Sequence, residues 1–188
     1  IPLLLGALQG SVGALLEAYP AKGIKPGDLY FMNDPYAGGT HLPDITVLMP
    51  VFADDTLVGL AATILHHQDV GGMRAGSVPP DSVEIFQEGL RIPPLKLGEG
   101  GNILPAIRRL IEANSRTPQI VLGDIGAQIG AANRAAAALA KLAGETGVAT
   151  FATAIDACLD KAEQQVRALV AGMPEGPHAG ADGLDPTP

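Results

Sequence analysis

The sequence predicts an α+β fold: a helix, then a small, mainly antiparallel sheet carrying Gly/Pro-rich loops, then an Ala-rich helical hairpin. Three observations predict it. Leu4, Leu8, Val12, Leu15 and Leu16 fall near helical spacing at the start of the chain. Short runs rich in Val, Ile and Leu then alternate with clusters of Gly, Pro and Asp. Beyond residue 102 the chain becomes rich in Ala, with apolar residues three and four apart. Hydrophobic residues make up 47% of the 188, yet aromatics make up 4% and Trp is absent. Ala, Leu, Ile and Val must therefore fill the core. Gly (24) and Pro (16) exceed a fifth of the chain, which calls for many tight turns.

The first helix runs over residues 3–19, and Pro20 closes it. A turn follows over 21–27, then a buried strand over 28–32. Residues 33–44 hold Asn33, Asp34, Pro35, Gly38, Gly39 and Pro43, and cannot continue a regular element. Residues 45–52 and 57–66 form two strands joined by a turn at Asp54 and Asp55, an antiparallel hairpin. A second Gly/Pro-rich loop covers 67–80, residues 82–89 fold locally, and 90–97 are extended. A helix over 103–113 takes Pro105 in its first turn. Arg116, Thr117 and Pro118 break the chain. Two Ala-rich helices follow, separated at 144–147. One carries Ile125, Ile129, Ala132, Ala136, Leu139 and Leu142 on its apolar stripe. The other carries Phe151, Ile155, Cys158, Ala162, Val166 and Leu169. Three regions result: a helix and β-rich core at 1–101, a helical region at 102–174 and a loose tail at 175–188.

The net charge of −8 and the absence of a basic stripe exclude nucleic acid and anionic membrane surfaces as expected partners. No apolar run reaches the roughly 20 residues that span a bilayer. The single cysteine, Cys158, is expected to be a small core residue on its helix. The chain opens at Ile1 in an apolar helical pattern and closes in Gly/Asp/Pro-rich sequence, as a piece of a longer protein would. His178 lies in the tail.

The other three histidines, His41, His66 and His67, lie in or beside the two Gly-rich loops, with Asp34, Asp44 and Asp69. His and Asp together suit Zn, Mn, Fe or Co. The hairpin returns His66 close to Asp44 and His41, because antiparallel pairing turns a long sequence gap into a side-chain distance. His66 and His67 are consecutive on an extended chain and point to opposite faces. His66 is the expected ligand, and His67 a supporting donor, an acid/base or a substrate contact. Asp34, at a strand end, can reach the same pocket. An Asp in such a loop ordinarily caps a turn through the backbone; three His and three Asp flanking one hairpin shift the reading to a site. Gly71 and Gly72 offer backbone amides to a ligand. Arg116 is either a substrate contact or an ion-pair partner. Asp124, Gln128, Asn133 and Arg134 read as surface or interface groups. No Walker-type phosphate loop is present.

Together, Gly27-Asp28, Asn33-Asp34-Pro35-Tyr36, Gly38-Gly39-Thr40-His41-Leu42-Pro43-Asp44 and His66-His67-Gln68-Asp69-Val70-Gly71-Gly72 resemble the hydantoinase B/oxoprolinase family. Gly76-Ser77, Glu88-Gly89-Leu90-Arg91-Ile92-Pro93-Pro94 and, more weakly, Asn114-Ser115-Arg116-Thr117-Pro118 continue the resemblance. It implies a chain from a longer subunit that acts with a hydantoinase A-type partner, in a cytoplasmic hetero-oligomer. The partner binds ATP and phosphorylates the carbonyl oxygen of a hydantoin, 5-oxoproline or lactam. The B component holds a divalent metal and completes ring opening with water. The implied ligands are His41, Asp44 and His66, completed by Asp34 or by a residue upstream of Ile1. His67 or Asp69 would then move a proton, and the Gly71 and Gly72 amides would hold the developing oxyanion or phosphate. Two other readings stand beside this one: the large subunit of an ATP-dependent ketone carboxylase, and a non-catalytic assembly module of the same fold.

Overall fold

The computed structural model describes residues 2–176, 179 and 180. His178 lies outside them, with most of the tail. Helix α1 (Pro2–Ala18) leads to strand β1 (Leu29–Met32), then to the hairpin β2 (Asp44–Ala53) and β3 (Thr56–His66). Strands β4 (Leu95–Glu99) and β5 (Asn102–Ile103) precede helices α2 (Pro105–Asn114), α3 (Pro118–Thr146) and α4 (Val148–Ala171). All pairings are antiparallel, in the order β3-β2-β1-β4-β5. The expected α+β class and its helix–sheet–helix order hold. Strand β5 was not expected: it is two residues long and follows a turn at Gly100 and Gly101, both with positive φ.

The sheet is covered on both faces. Leu29 and Phe31 of β1, with Ile45, Val47, Met49 and Val51 of β2, pack against Ile111 of α2 and Val121, Ile125, Ala132 and Ala136 of α3. Tyr30, Met32 and Leu48 point the other way, onto Leu15 of α1 and Ile24. This two-residue alternation puts each central strand between two apolar layers, so the aliphatic run of β2 is buried almost throughout. Small residues let α3 lie close to the sheet. Its buried face runs Val121, Ile125, Gln128, Ala132, Ala136. Leu139 and Leu142, expected on that stripe, are partly exposed, because the buried face passes through the Ala positions.

Residues Ile1–Val148 form one compact unit and α4 belongs to another. Pro118 starts α3 at its first turn, and Gly147, at φ 83°, ends it. Cys158 is exposed, contrary to its expected burial. Ile155, Leu159, Val166 and Leu169 of the same helix are exposed too, leaving its apolar stripe largely in solvent. No helix among the described residues is long and apolar enough to cross a membrane.

Asn33 ties the site end of the sheet together. It is fully buried at the end of β1. Its Nδ2 donates to Leu42 O (2.6 Å) and Leu90 O (2.8 Å), and its Oδ1 accepts from Ile92 N–H (2.6 Å). Gly39 runs so close beneath this turn that a Cβ there would lie 2.5 Å from Asn33 O. Buried backbone groups left without partners cost about 1–3 kcal/mol each. Asn33→Ala is therefore expected to lower stability by about 2–4 kcal/mol, read as a lower urea midpoint with an unchanged m-value.

Candidate metal centre

Residue 44 opens β2 and residue 66 closes β3, and the two are register partners. Their side chains share one face of the hairpin. His41 is added by the loop before β2, where the Asp44 N–H donates to His41 O (2.9 Å) and folds 41–44 into a turn. The Asp44 carboxylate is 2% exposed. His41 Nδ1 lies 2.7 Å from its Oδ2, and His66 Nδ1 lies 2.7 Å from its Oδ1. The Thr40 hydroxyl and the His41 N–H also donate to Oδ2. Burial pushes this carboxyl up, but the bonds from Thr40, His41 and His66 outweigh burial and hold it at about 2. Asp44 is thus an anion at neutral pH.

His41, Asp44 and His66 each offer a ligand atom within 4.8 Å of the others. The imidazoles are half exposed, with side-chain exposures of 63% and 51%, so the cluster has a protected anionic floor and an open front. This donor set fits a divalent cation of the Zn or Mn kind. A carboxylate can only accept, so both Nδ1 atoms act as donors here. Moving the ring proton to Nε2 gives three electron-pair donors with no net change of protonation. At metal–ligand bonds of about 2.0–2.2 Å, donor atoms sit roughly 3–3.5 Å apart. The 2.7 Å spacings therefore need to open by less than an ångström.

Asp34 is not in this group. Its Oδ1 accepts from Tyr36 N–H (3.0 Å) and caps the short turn Pro35–Ala37, and its Oδ2 faces Arg91 Nε at 3.5 Å. His67 points to the opposite face of the sheet and is fully buried. Gln128 Nε2 donates to Ile45 O and Thr63 O, which leaves its Oε1 to accept from His67 Nε2–H at 2.9 Å. Burial lowers the His67 pKa, and the Gln128 bond only partly offsets this, so the ring is neutral. Its Nδ1 has no partner among the described residues. Gln128, expected at the surface or an interface, is 4% exposed and joins α3 to the hairpin.

Asp69 is buried under four donors. Arg116 N–H and Gly71 N–H donate to Oδ1 (both 3.0 Å). Gly76 N–H (3.1 Å) and Arg116 Nη1 (2.9 Å) donate to Oδ2. Arg116 also reaches Gly71 O, Arg74 O and Gly72 O. Of the two readings of Arg116, the geometry is that of the ion pair, and the Gly71 amide is engaged by Asp69. Gly72 has φ 84°, and a Cβ there would meet Gln87 O at 2.6 Å, so only Gly lets this loop pass.

The hydantoinase B/oxoprolinase profile matches residues 1–187, from one end of the chain almost to the other. The chain belongs to the hydantoinase B/oxoprolinase family. Caprolactamase subunit beta of Pseudomonas jessenii is 33% identical over 180 residues, covering 96% of this chain and 31% of that subunit. The crystal structure of the ATP-dependent caprolactamase from that organism superposes with a TM-score of 0.87 over 94% of this chain and 30% of the other. The 5-oxoprolinase of Saccharomyces cerevisiae is 32% identical over 186 residues, 93% of this chain and 14% of that protein. Acetone carboxylase shares the fold, with a TM-score of 0.70 at 22% identity over 80% of this chain and 20% of the other. The chain thus spans less than a third of each relative. In this hydantoinase B-type chain, the residues that sequence reasoning underrated are Asn33, Thr40 and Gln128. The signal at Asn33 and Gln128 was a polar side chain at the end of or inside an apolar run, which calls for buried partners.

The Asp69 carboxyl is held below its ordinary 3.8: burial raises it, and the Arg116, Gly71 and Gly76 donors more than reverse that. Its stabilising contribution is complete above the unfolded value and is lost as pH falls through the lower folded one. Asp69→Asn is expected to cost about 2–3 kcal/mol at pH 7. Urea denaturation between pH 7 and pH 2 should show that difference shrinking only below about pH 4.

Proposed function

We propose that this chain carries the metal centre of an ATP-dependent hydrolase of cyclic amides such as hydantoins, 5-oxoproline or lactams. It acts with a hydantoinase A-type subunit or domain that binds ATP. The observation that carries the reading is the buried Asp44 anion bracketed by two half-exposed imidazoles. Relatives above 30% identity include proteins named for cyclic-amide chemistry, a 5-oxoprolinase and a caprolactamase β subunit, and the latter supports a two-component system. The ketone carboxylase reading has only a shared fold in its favour.

His41, Asp44 and His66 would hold the cation. When bound, it supplies Lewis-acid polarisation and a source of hydroxide near neutral pH. The chain's own residues prepare that position. Thr40 and the His41 amide keep Asp44 ionised and oriented. The open front of the imidazoles admits a substrate already activated by phosphorylation of its carbonyl oxygen. His67 acts as a positioning residue: its bond to Gln128 locks the chain directly after His66 to α3. Asp69 and Arg116 shape the neighbouring loop wall. The coordination positions beyond these three groups fall to substrate, solvent or a residue of the longer subunit.

The test is elemental analysis of the full-length subunit. Wild type is expected to hold about one divalent transition metal per chain, and His41→Ala/Asp44→Ala to lose it, with affinity lower by at least about 100-fold. Wild type that stays metal-free after reconstitution, or a double variant that keeps its metal, would sink the reading. Metal loss in the variant should abolish ATP-dependent ring opening by the assembled complex.

A further inference from the structure

A second group capable of binding ligand is tied to the loop of the metal cluster through Asn33. The Asn33 side chain bonds Leu42, two residues before Asp44, and also Leu90 and Ile92, which flank Arg91. Arg91 lines an open cavity of about 630 Å³ together with Gly71, Gly72, Phe86, Asn114 and Arg116. No Asp or Glu lines that cavity, although the chain carries a net charge of −8.

The two arginines of the cavity differ. Arg116 is spent on Asp69 and three loop carbonyls. Arg91 is held less tightly. Its Nε forms a long ion pair with Asp34 at 3.5 Å, beyond good hydrogen-bond reach, and among the described residues its Nη groups have no hydrogen-bond acceptor. Its guanidinium carbon lies 5.8 Å from the ring centres of both Tyr36 and Phe86. Those rings are 80% and 73% exposed. Two exposed rings beside one guanidinium limit its rotamers, while its Nη groups stay free to donate. That is the arrangement a planar fork needs for two-point recognition of an oxyanion.

We propose that Arg91, held beside Tyr36 and Phe86, is the oxyanion subsite of this centre. Resting on the cyclic-amide reading above, its ligand is either a carboxylate borne by the ring or the phosphate placed on the activated carbonyl oxygen. Both are planar-faced or tetrahedral oxyanions that a guanidinium grips through two N–H groups. Arg91 thereby sets the position of the substrate relative to the metal cluster.

The test is calorimetric titration of inorganic phosphate, of 5-oxoproline and of neutral caprolactam into the full-length subunit. Wild type, Arg91→Ala and Arg91→Lys are compared, with metal content and unfolding midpoint measured on the same preparations. At least one anion should bind wild type, bind Arg91→Ala about 10-fold or more weakly, and bind Arg91→Lys at an intermediate level, while the response to caprolactam stays unchanged. Dependence for phosphate alone assigns the activated-substrate phosphate, and dependence for 5-oxoproline alone assigns the ring carboxylate. Anion binding of equal strength in Arg91→Ala, or no anion binding in folded wild type, overturns the subsite. Arg91-dependent binding in metal-free protein would keep the subsite and remove the metal reading. Metal-replete protein without Arg91-dependent binding would do the reverse.

Discussion

The register of the β2–β3 hairpin is the constraint on which the site depends. Asp54 and Asp55 both have positive φ and make the tight two-residue turn that joins the strands. An uninterrupted ladder from the Ala53–Thr56 pair would set Asp44 opposite Leu65. A bulge between Val51 and Phe52 moves the register by one residue, so that Asp44 meets His66. Were the same strands paired without that bulge, every side chain of β3 beyond it would change faces. His66 would turn away from Asp44, and His67 would leave the core. The bulge therefore decides at once which histidine can serve a cation and which one packs under α3.

Asp44 shows why this register is enforced. A carboxylate 2% exposed is costly unless donors surround it, and here Thr40, His41 and His66 supply them. The same logic recurs at Asp69, which gathers Gly71, Gly76 and Arg116, and at Asn33, which gathers Leu42, Leu90 and Ile92. Each of these buried polar groups is the centre of a loop that has too few apolar residues to pack on its own. A side chain with several fixed acceptors or donors replaces a hydrophobic core there, and it specifies one conformation because any other would leave buried groups unpaired. Glycines complete these loops where backbones come close, as at Gly39 and Gly72.

Much of this was legible in the residues. The strand runs, the Asp turn and the clustering of His41, Asp44 and His66 follow from alternation and from hairpin geometry. What the sequence hid depends on neighbours distant in the chain. Gln128 reads as a surface group on an Ala-rich helix until α3 is laid across Ile45 and Thr63. Asp69 reads as an acid/base candidate until Arg116, 47 positions away, is found against it. Cys158 and its stripe read as core because periodicity reports an apolar face and not what covers it. Asp34 reads as a ligand because it ends a strand, yet its carboxylate is engaged by Tyr36 and faces Arg91. A hairpin is local and can be inferred; a contact between segments forty or eighty residues apart carries no such pattern.

Burial divides the polar residues of this end of the sheet into two sets. Asn33, Asp44, His67, Asp69 and Gln128 are hidden and satisfied almost entirely from within the chain. His41, His66, Arg91, Tyr36 and Phe86 project from that frame and keep ring faces or donors open to solvent. Replacing Asn33, Asp69 or Gln128 disturbs the backbone, because their partners are mostly main-chain atoms. Replacing Arg91, Tyr36 or Phe86 changes what the site meets while leaving those bonds intact, whereas His41 and His66 also donate to Asp44. A frame of this kind allows the chemistry of the open front to vary without refolding the sheet. Such a frame suits a fold that is shared at a TM-score of 0.70 with a protein only 22% identical.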